Sequence, residues 1–284
     1  MTLGPRIFIS RCSTLCTRVL MSFTLVIELC LQICIIAPTL FQNRFIFCIY
    51  FIILLFIVSN LLGNLIYLIL TDTSVNVDIC TEPDLNVKLC TQCDRNIPPR
   101  CVHCNNCKKC IPRRRAHCSL VGNCIGYFNH RYFFVSIMYS MLYSANTVAV
   151  EAIFFQQILT SSDINVDFIG YFHVVSDDWT ECLFVFVFFV SAFLNFFSLI
   201  TSIFLLTLET DVIFSGKLRN ERDFRQSNYN QGFRKNLICV LGKRWYLACF
   251  CPVVESKLPD MHVVLFPIIN NKPTNSLKFC DYSF

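Results

Sequence analysis

Hydrophobic residues in this chain run in four long blocks instead of recurring at amphipathic spacing. Val19–Phe41, Phe45–Leu70, Tyr132–Phe155 and Trp179–Leu208 are apolar with few interruptions. Each is long enough to cross a hydrocarbon core of about 30 Å as a helix. The blocks predict four transmembrane helices. The first is too long for the apolar core of a signal peptide and lacks a clear small-residue cleavage site, so it reads as a retained anchor. Between the second and third blocks the pattern changes. From Thr71 to about Lys88 the chain is polar, Asx-rich and irregular. Beyond Lys88 the Cys-x2-Cys knuckles need tight turns and support only short strands or single helical turns, with Pro98, Pro99 and Pro112 keeping helices out. The predicted fold is an all-α polytopic membrane protein with a small cysteine-rich domain between spans 2 and 3. Its parts are an N-terminus (1–18), spans 1 and 2 (19–70), the cysteine-rich domain (71–131), spans 3 and 4 (132–208, with a loop at 156–178) and a tail (209–284).

Composition agrees with the blocks: 55% of the 284 residues are hydrophobic and 15% charged, too apolar for an ordinary soluble domain. The charges set the orientation. Of the 24 Lys and Arg, only Arg44 lies outside the N-terminus, the 71–131 loop and the tail, and residues 156–178 carry four aspartates and no Lys or Arg. The positive-inside tendency puts both termini and the cysteine-rich loop in the cytosol. The net charge of +5 suits loops facing anionic lipid and calls for no nucleic acid. Within the spans, Glu28, Glu151 and Glu181 stand out, since intramembrane carboxylates are costly. Glu28, nearer mid-span, is expected to face the bundle and bond to Asn60, Asn64 or Asn195. Glu151 and Glu181 lie near span ends, where reaching the interface is enough.

A cytosolic loop turns cysteines from disulfide candidates into metal-ligand candidates. Between Cys90 and Cys124 the pattern Cys-x2-Cys-x9-His-x6-Cys occurs twice, fourteen residues apart. One copy is Cys90, Cys93, His103 and Cys110; the other is Cys104, Cys107, His117 and Cys124. Three thiolates and one imidazole suit a closed tetrahedral structural zinc site, so two Zn²⁺ are expected. The interleaving would lock one compact segment whose apolar content is too small to fold by burial alone. Cys118 stands where a third copy would begin, but Val121 replaces its knuckle partner. It is left as a thiol without a metal, beside a metal site. In the tail, Cys249 and Cys251 admit lipidation or a plain juxtamembrane role.

The run Cys90–Phe133 resembles the cysteine-rich domain of DHHC-type protein S-acyltransferases, and a four-span layout with that domain between spans 2 and 3 matches theirs. The likeness continues through Asn123-Cys124-Ile125-Gly126, Asn129 and Phe133. Thr207-Leu208-Glu209 resembles the end of the family's Thr-Thr-x-Glu motif, with Leu206 for its first threonine. Tyr229-Asn230-Gln231-Gly232, Asn236 and Val240-Leu241-Gly242 resemble its C-terminal aromatic/Asn motif. The Asp-Pro-Gly motif is not evident; Asp72 is its only trace. The resemblance implies a long-chain acyl-CoA donor, a palmitoyl-type thioester on Cys118, acceptor cysteines on membrane-associated proteins, membrane lipids as surroundings, and an endomembrane (ER or Golgi) location.

The signature tetrad departs from the family. It reads Arg115-Ala116-His117-Cys118, where relatives carry Asp-His-His-Cys, and Ser119-Leu120 replaces the usual Pro-Trp. The resemblance makes the missing histidine the general base and the missing aspartate its orienter. Ala116 accepts no proton, Arg115 stays protonated, and His117 is committed to metal. Loss of a base costs roughly 10²–10⁴-fold, so slow transfer is expected. The run Arg113-Arg114-Arg115 is a candidate for stabilising the thiolate, or for meeting CoA phosphates or lipid headgroups. Restoring both Asp and His is expected to raise the rate, and His130 is a possible replacement base. The alternative is a catalytically silent membrane scaffold that binds partners through its metal domain. A RING-type ligase fits poorly, because the ligands repeat at fourteen residues without a long variable loop.

Overall fold

The computed structural model describes residues 5–74, 88–160, 178–218, 221 and 229–265, with side chains left out at 5–11, 158–159, 178, 180–182 and 262–263. The expectation for Glu181 and most of the 156–178 loop lie outside the described residues. The helices are α1 (Pro5–Leu31), α2 (Ala37–Leu40), α3 (Arg44–Leu70), α4 (His130–Thr160), α5 (Asp178–Ser215), α6 (Phe233–Leu241), α7 (Trp245–Phe250) and α8 (Met261–Leu265). Between α1 and α2 the helix widens into a π turn at Gln32–Ile36. Pro38 follows at the first turn of α2, where it lacks the amide a regular α register would need. Among the described residues, four helical stretches are long and apolar enough to cross a membrane: Cys12–Leu40, Arg44–Leu70, His130–Gln157 and Leu183–Ser215. The chain thus has the build of an integral membrane protein.

The chain divides into two compact units. One comprises 18–61 and 137–205, the larger part of the apolar helices. Leu31, Ile36, Val150, Phe154 and Phe188 form one core cluster there, and Leu54, Val58 and Tyr143 another. Polar groups are buried beside them. Asn195 Nδ2 donates to Glu28 Oε2 at 2.8 Å and to Glu151 Oε1 at 2.9 Å, and Ser191 Oγ donates to the same Glu151 oxygen at 3.3 Å. Glu28 therefore faces inward on one of the expected asparagines. Glu151 departs from expectation: it is 4% exposed, held inside by Asn195 and Ser191 and not released to an interface.

The other unit comprises 1–17, 62–136 and 206–284. At its centre are three antiparallel hairpins: β1 (Lys88–Cys90) with β2 (Arg95–Ile97), β3 (Cys101–Cys104) with β4 (Lys109–Pro112), and β5 (Ala116–Cys118) with β6 (Asn123–Ile125). The fourteen-residue repeat is visible in the backbone. Cys90↔Arg95, Cys104↔Lys109 and Cys118↔Asn123 close the three hairpins. Asp94, Lys108 and Gly122, again fourteen apart, take positive φ of 50°, 55° and 65°. The amides of Lys108 and Gly122 each donate 2.7 Å to the carbonyl of the cysteine that opens their turn. The third hairpin is thus a knuckle of the same construction, although the ligand pattern reaches only the first two.

Candidate active site and metal centres

Each of the first two knuckles brings its two cysteines back against the histidine and cysteine of the next hairpin. Cys90, Cys93, His103 and Cys110 form one cluster and Cys104, Cys107, His117 and Cys124 the other, with all candidate ligand atoms of each set within 4.8 Å of one another. Three sulfurs surround His103 Nδ1 at 3.2 Å (Cys93), 3.7 Å (Cys90) and 3.8 Å (Cys110). Those around His117 Nδ1 lie at 3.3 Å (Cys107), 3.6 Å (Cys124) and 3.8 Å (Cys104). A tetrahedron built from zinc's usual bonds has S···N edges of about 3.6 Å, so both clusters fit a metal ion. Their electrostatics also ask for one. Burial, then the bonded neighbouring thiols, push Cys110 and Cys124 well above the ordinary thiol range. A bound dication would reverse that cost and hold the thiolates.

Cys101 stands outside the fourteen-residue ligand pattern. It lies buried on β3, packed with Cys90 and Cys110, and belongs to neither ligand set. Burial, and then the charge of Cys90, push its thiol up to about 12.

Cys118 ends β5, half-buried, in neither ligand set and in no disulfide. Its cross-strand partner Asn123 fixes where it sits. Asn123 Nδ2 donates to the carbonyls of Thr71 at 3.0 Å and Leu68 at 3.3 Å, the last turn of α3. An antiparallel partner lies about 5 Å away, which puts the thiol beside the end of a membrane-length helix. Residues alternate faces along a strand, so Ala116 shares the face of Cys118 while His117 turns toward Cys104, Cys107 and Cys124.

Each arginine of the run makes a contact within the fold. Arg113 is buried, donating to the carbonyl of Cys239 at 3.1 Å, with His130 Nδ1 at 3.4 Å. Burial, then the charge of Arg100, lower it to about 10, still a cation at physiological pH. Arg114 reaches Cys104 Sγ at 3.6 Å. Arg115 Nε donates to Glu209 Oε1 at 2.9 Å, and His130 Nε2 lies 2.7 Å from Glu209 Oε2. His130 and Glu209 are 1% and 2% exposed. A histidine so enclosed, with both ring nitrogens occupied, is a packing group and no replacement base.

A family model described as DHHC palmitoyltransferase matches residues 85–224. The chain carries a DHHC-family domain. It is 34% identical over 166 residues to a Danio rerio protein named "Probable palmitoyltransferase ZDHHC24", covering 57% of this chain and 56% of that one. It is 31% identical over 164 residues to "Palmitoyltransferase ZDHHC20-A", also from Danio rerio, covering 54% and 42%. The chain thus aligns with about half the length of the curated relatives it matches. Within the DHHC domain the motifs have legible structural work. Asn129 Oδ1 accepts from the Gly126 amide at 2.9 Å and its Nδ2 donates to the Cys124 carbonyl at 2.9 Å, closing the end of β6. In the tail motif, Asn236 Nδ2 donates to the Ile213 carbonyl at 3.0 Å, and Asn236 Oδ1 accepts from the Gln231 amide at 3.2 Å.

Sequence reasoning missed Arg100. Its guanidinium ties the first hairpin pair to the tail through Glu221 (2.6 and 2.7 Å) and the carbonyls of Gly216 and Val264 (3.1 and 3.0 Å), over the ring of Tyr229 at 4.1 Å. Its one mark in the sequence is its place in the repeat, fourteen residues before Arg114.

Proposed function

We propose that this chain is a protein S-acyltransferase that moves a palmitoyl-type acyl group from acyl-CoA to cysteines of membrane-associated proteins, with Cys118 as the nucleophile. The Cys118 thiolate attacks the thioester carbonyl, the bond to CoA sulfur breaks, and the leaving thiolate takes up a proton. An acceptor thiolate then attacks the acyl-Cys118 carbonyl and frees Cys118. The observation that supports this reading is the hairpin contact of Asn123, the cross-strand partner of Cys118, with the end of the apolar helix α3. Cys90, Cys93, His103 and Cys110, and Cys104, Cys107, His117 and Cys124, each hold one structural Zn²⁺ in this reading, neutralising the thiolates and fixing the hairpins. The cysteine-rich face and both termini are cytosolic, as the basic residues suggest, at an endomembrane such as ER or Golgi. Transfer is slow, because Ala116 leaves no base beside the sulfur.

Purified protein given a palmitoyl-CoA analogue should acquire hydroxylamine-sensitive label, and Cys118→Ser should remove it entirely. Label on the serine variant equal to that on the parent chain, or none on folded parent chain, would overturn the reading; the second result leaves a silent scaffold.

A further inference from the structure

Among the described residues, most apolar side chains of the tail segment from Lys243 to Val253 are left uncovered. Trp245, Tyr246, Leu247, Phe250 and Val253 are exposed at 41, 52, 41, 64 and 71%, while Ala248 turns inward. Isolated exposed apolar residues are ordinary, but five within nine positions of a short helix and its exit form a patch. Lys243 and Arg244 stand exposed at its start.

Neighbouring contacts fix its depth. A Cβ on Gly63 would meet Pro252 Cγ at 2.6 Å, so Pro252 packs flush on α3 at the position only glycine leaves open. Gly63 precedes the end of α3 by seven residues, a rise of about 10 Å. Tyr67 and Tyr132 stack at 5.1 Å one turn nearer that end, the kind of aromatic pair found at a bilayer interface. Arg131 donates to the carbonyls of Val254 at 3.0 Å and Pro252 at 3.2 Å, fastening the irregular segment that follows α7 at the same level. In this stretch α3 shows Leu62, Ile66 and Leu70 exposed, side chains that a membrane-length helix presents to lipid. The α7 patch is therefore level with apolar helix surface, below the tyrosine pair.

We propose that Lys243–Val253 is an in-plane membrane anchor, seated in the headgroup and upper acyl region of an anionic leaflet. Trp245, Tyr246, Leu247, Phe250 and Val253 enter the lipid, and Lys243 and Arg244 meet its phosphates. The occupant is a lipid surface and not a protein partner: the patch is aromatic with basic residues at one edge, and it continues the lipid-facing surface of α3.

The chain has two tryptophans, so Trp179→Phe leaves Trp245 as the sole tryptophan, excited selectively at the red edge, without touching the segment. In vesicles of phosphatidylcholine and phosphatidylglycerol, acyl-brominated lipid should lower its emission about twofold and aqueous iodide should leave it nearly unchanged, as an interfacial tryptophan requires. Lys243→Glu with Arg244→Glu should shift that balance toward iodide. Quenching by iodide and not by brominated lipid would overturn the proposal. Protection from both quenchers would also overturn it, since it would mean that a second copy of the chain covers the patch. The readout is independent of acyl transfer and stands or falls apart from the proposed enzymatic role.

Discussion

Stripping the metal from intact protein is expected to unfold residues 88–126 as one piece while the apolar helices persist. The three hairpins bury few apolar side chains beyond the sulfurs themselves, and strands of three or four residues have no independent stability. Each metal ion supplies on the order of 10 kcal/mol in small modules of this kind, far more than such a segment gains by burial. Chelation should expose all eight thiols of the segment to a maleimide and open it to protease. Cys107→Ser should lose one of two metals per chain and all labelling at Cys118, because the second cluster shares His117 with the strand that ends in Cys118. Cys101→Ser should keep both metals, since Cys101 lies outside both ligand sets. A chelated protein that stayed protease-resistant across 88–126, or a native chain with no bound metal, would sink this account.

Repairing the tetrad is expected to split into two opposite effects. Ala116→His alone places an imidazole on the face of β5 that carries Cys118, and should raise acyl transfer about 10²-fold, the lower end of what a general base contributes. Adding Arg115→Asp should not add to the gain. Arg115 is the ion-pair partner of buried Glu209, and breaking such a pair costs about 3–5 kcal/mol. The substitution would aim a second carboxylate at Glu209 and loosen the hold of α5 on the tetrad hairpin. The double variant should therefore melt below Ala116→His and transfer no faster. Pairing it with Glu209→Gln should recover part of the lost stability. A double variant both faster and as stable would mean that the Arg115–Glu209 contact does not hold the hairpin.

This second case marks the limit of what the sequence made legible. The four spans and the eight ligand positions follow from local rules, unbroken apolar length and fixed spacing around a tight turn, which act over tens of residues. Glu28 was readable because a mid-span carboxylate has few ways to be satisfied. Glu151 was not, because its helix end looks exposed until Asn195 and Ser191 are brought beside it by packing. Arg115 looked like a free cation next to a thiol; its partner is 94 positions away, and spacing does not reveal it. Arg100 and His130 were hidden for the same reason, their partners lying in α5 and the tail.

The third knuckle separates two tasks that a catalytic centre usually entangles. A left-handed residue at Gly122 and the 2.7 Å amide contact onto Cys118 present this sulfur by the same scaffolding that seats Cys104 in its Cys/His cluster. Presentation thus owes nothing to the lost aspartate and histidine. Under the role proposed for Cys118, the chain would serve as a natural half-deletion, in which the geometric share of thioester chemistry is measured with the proton-handling share already subtracted.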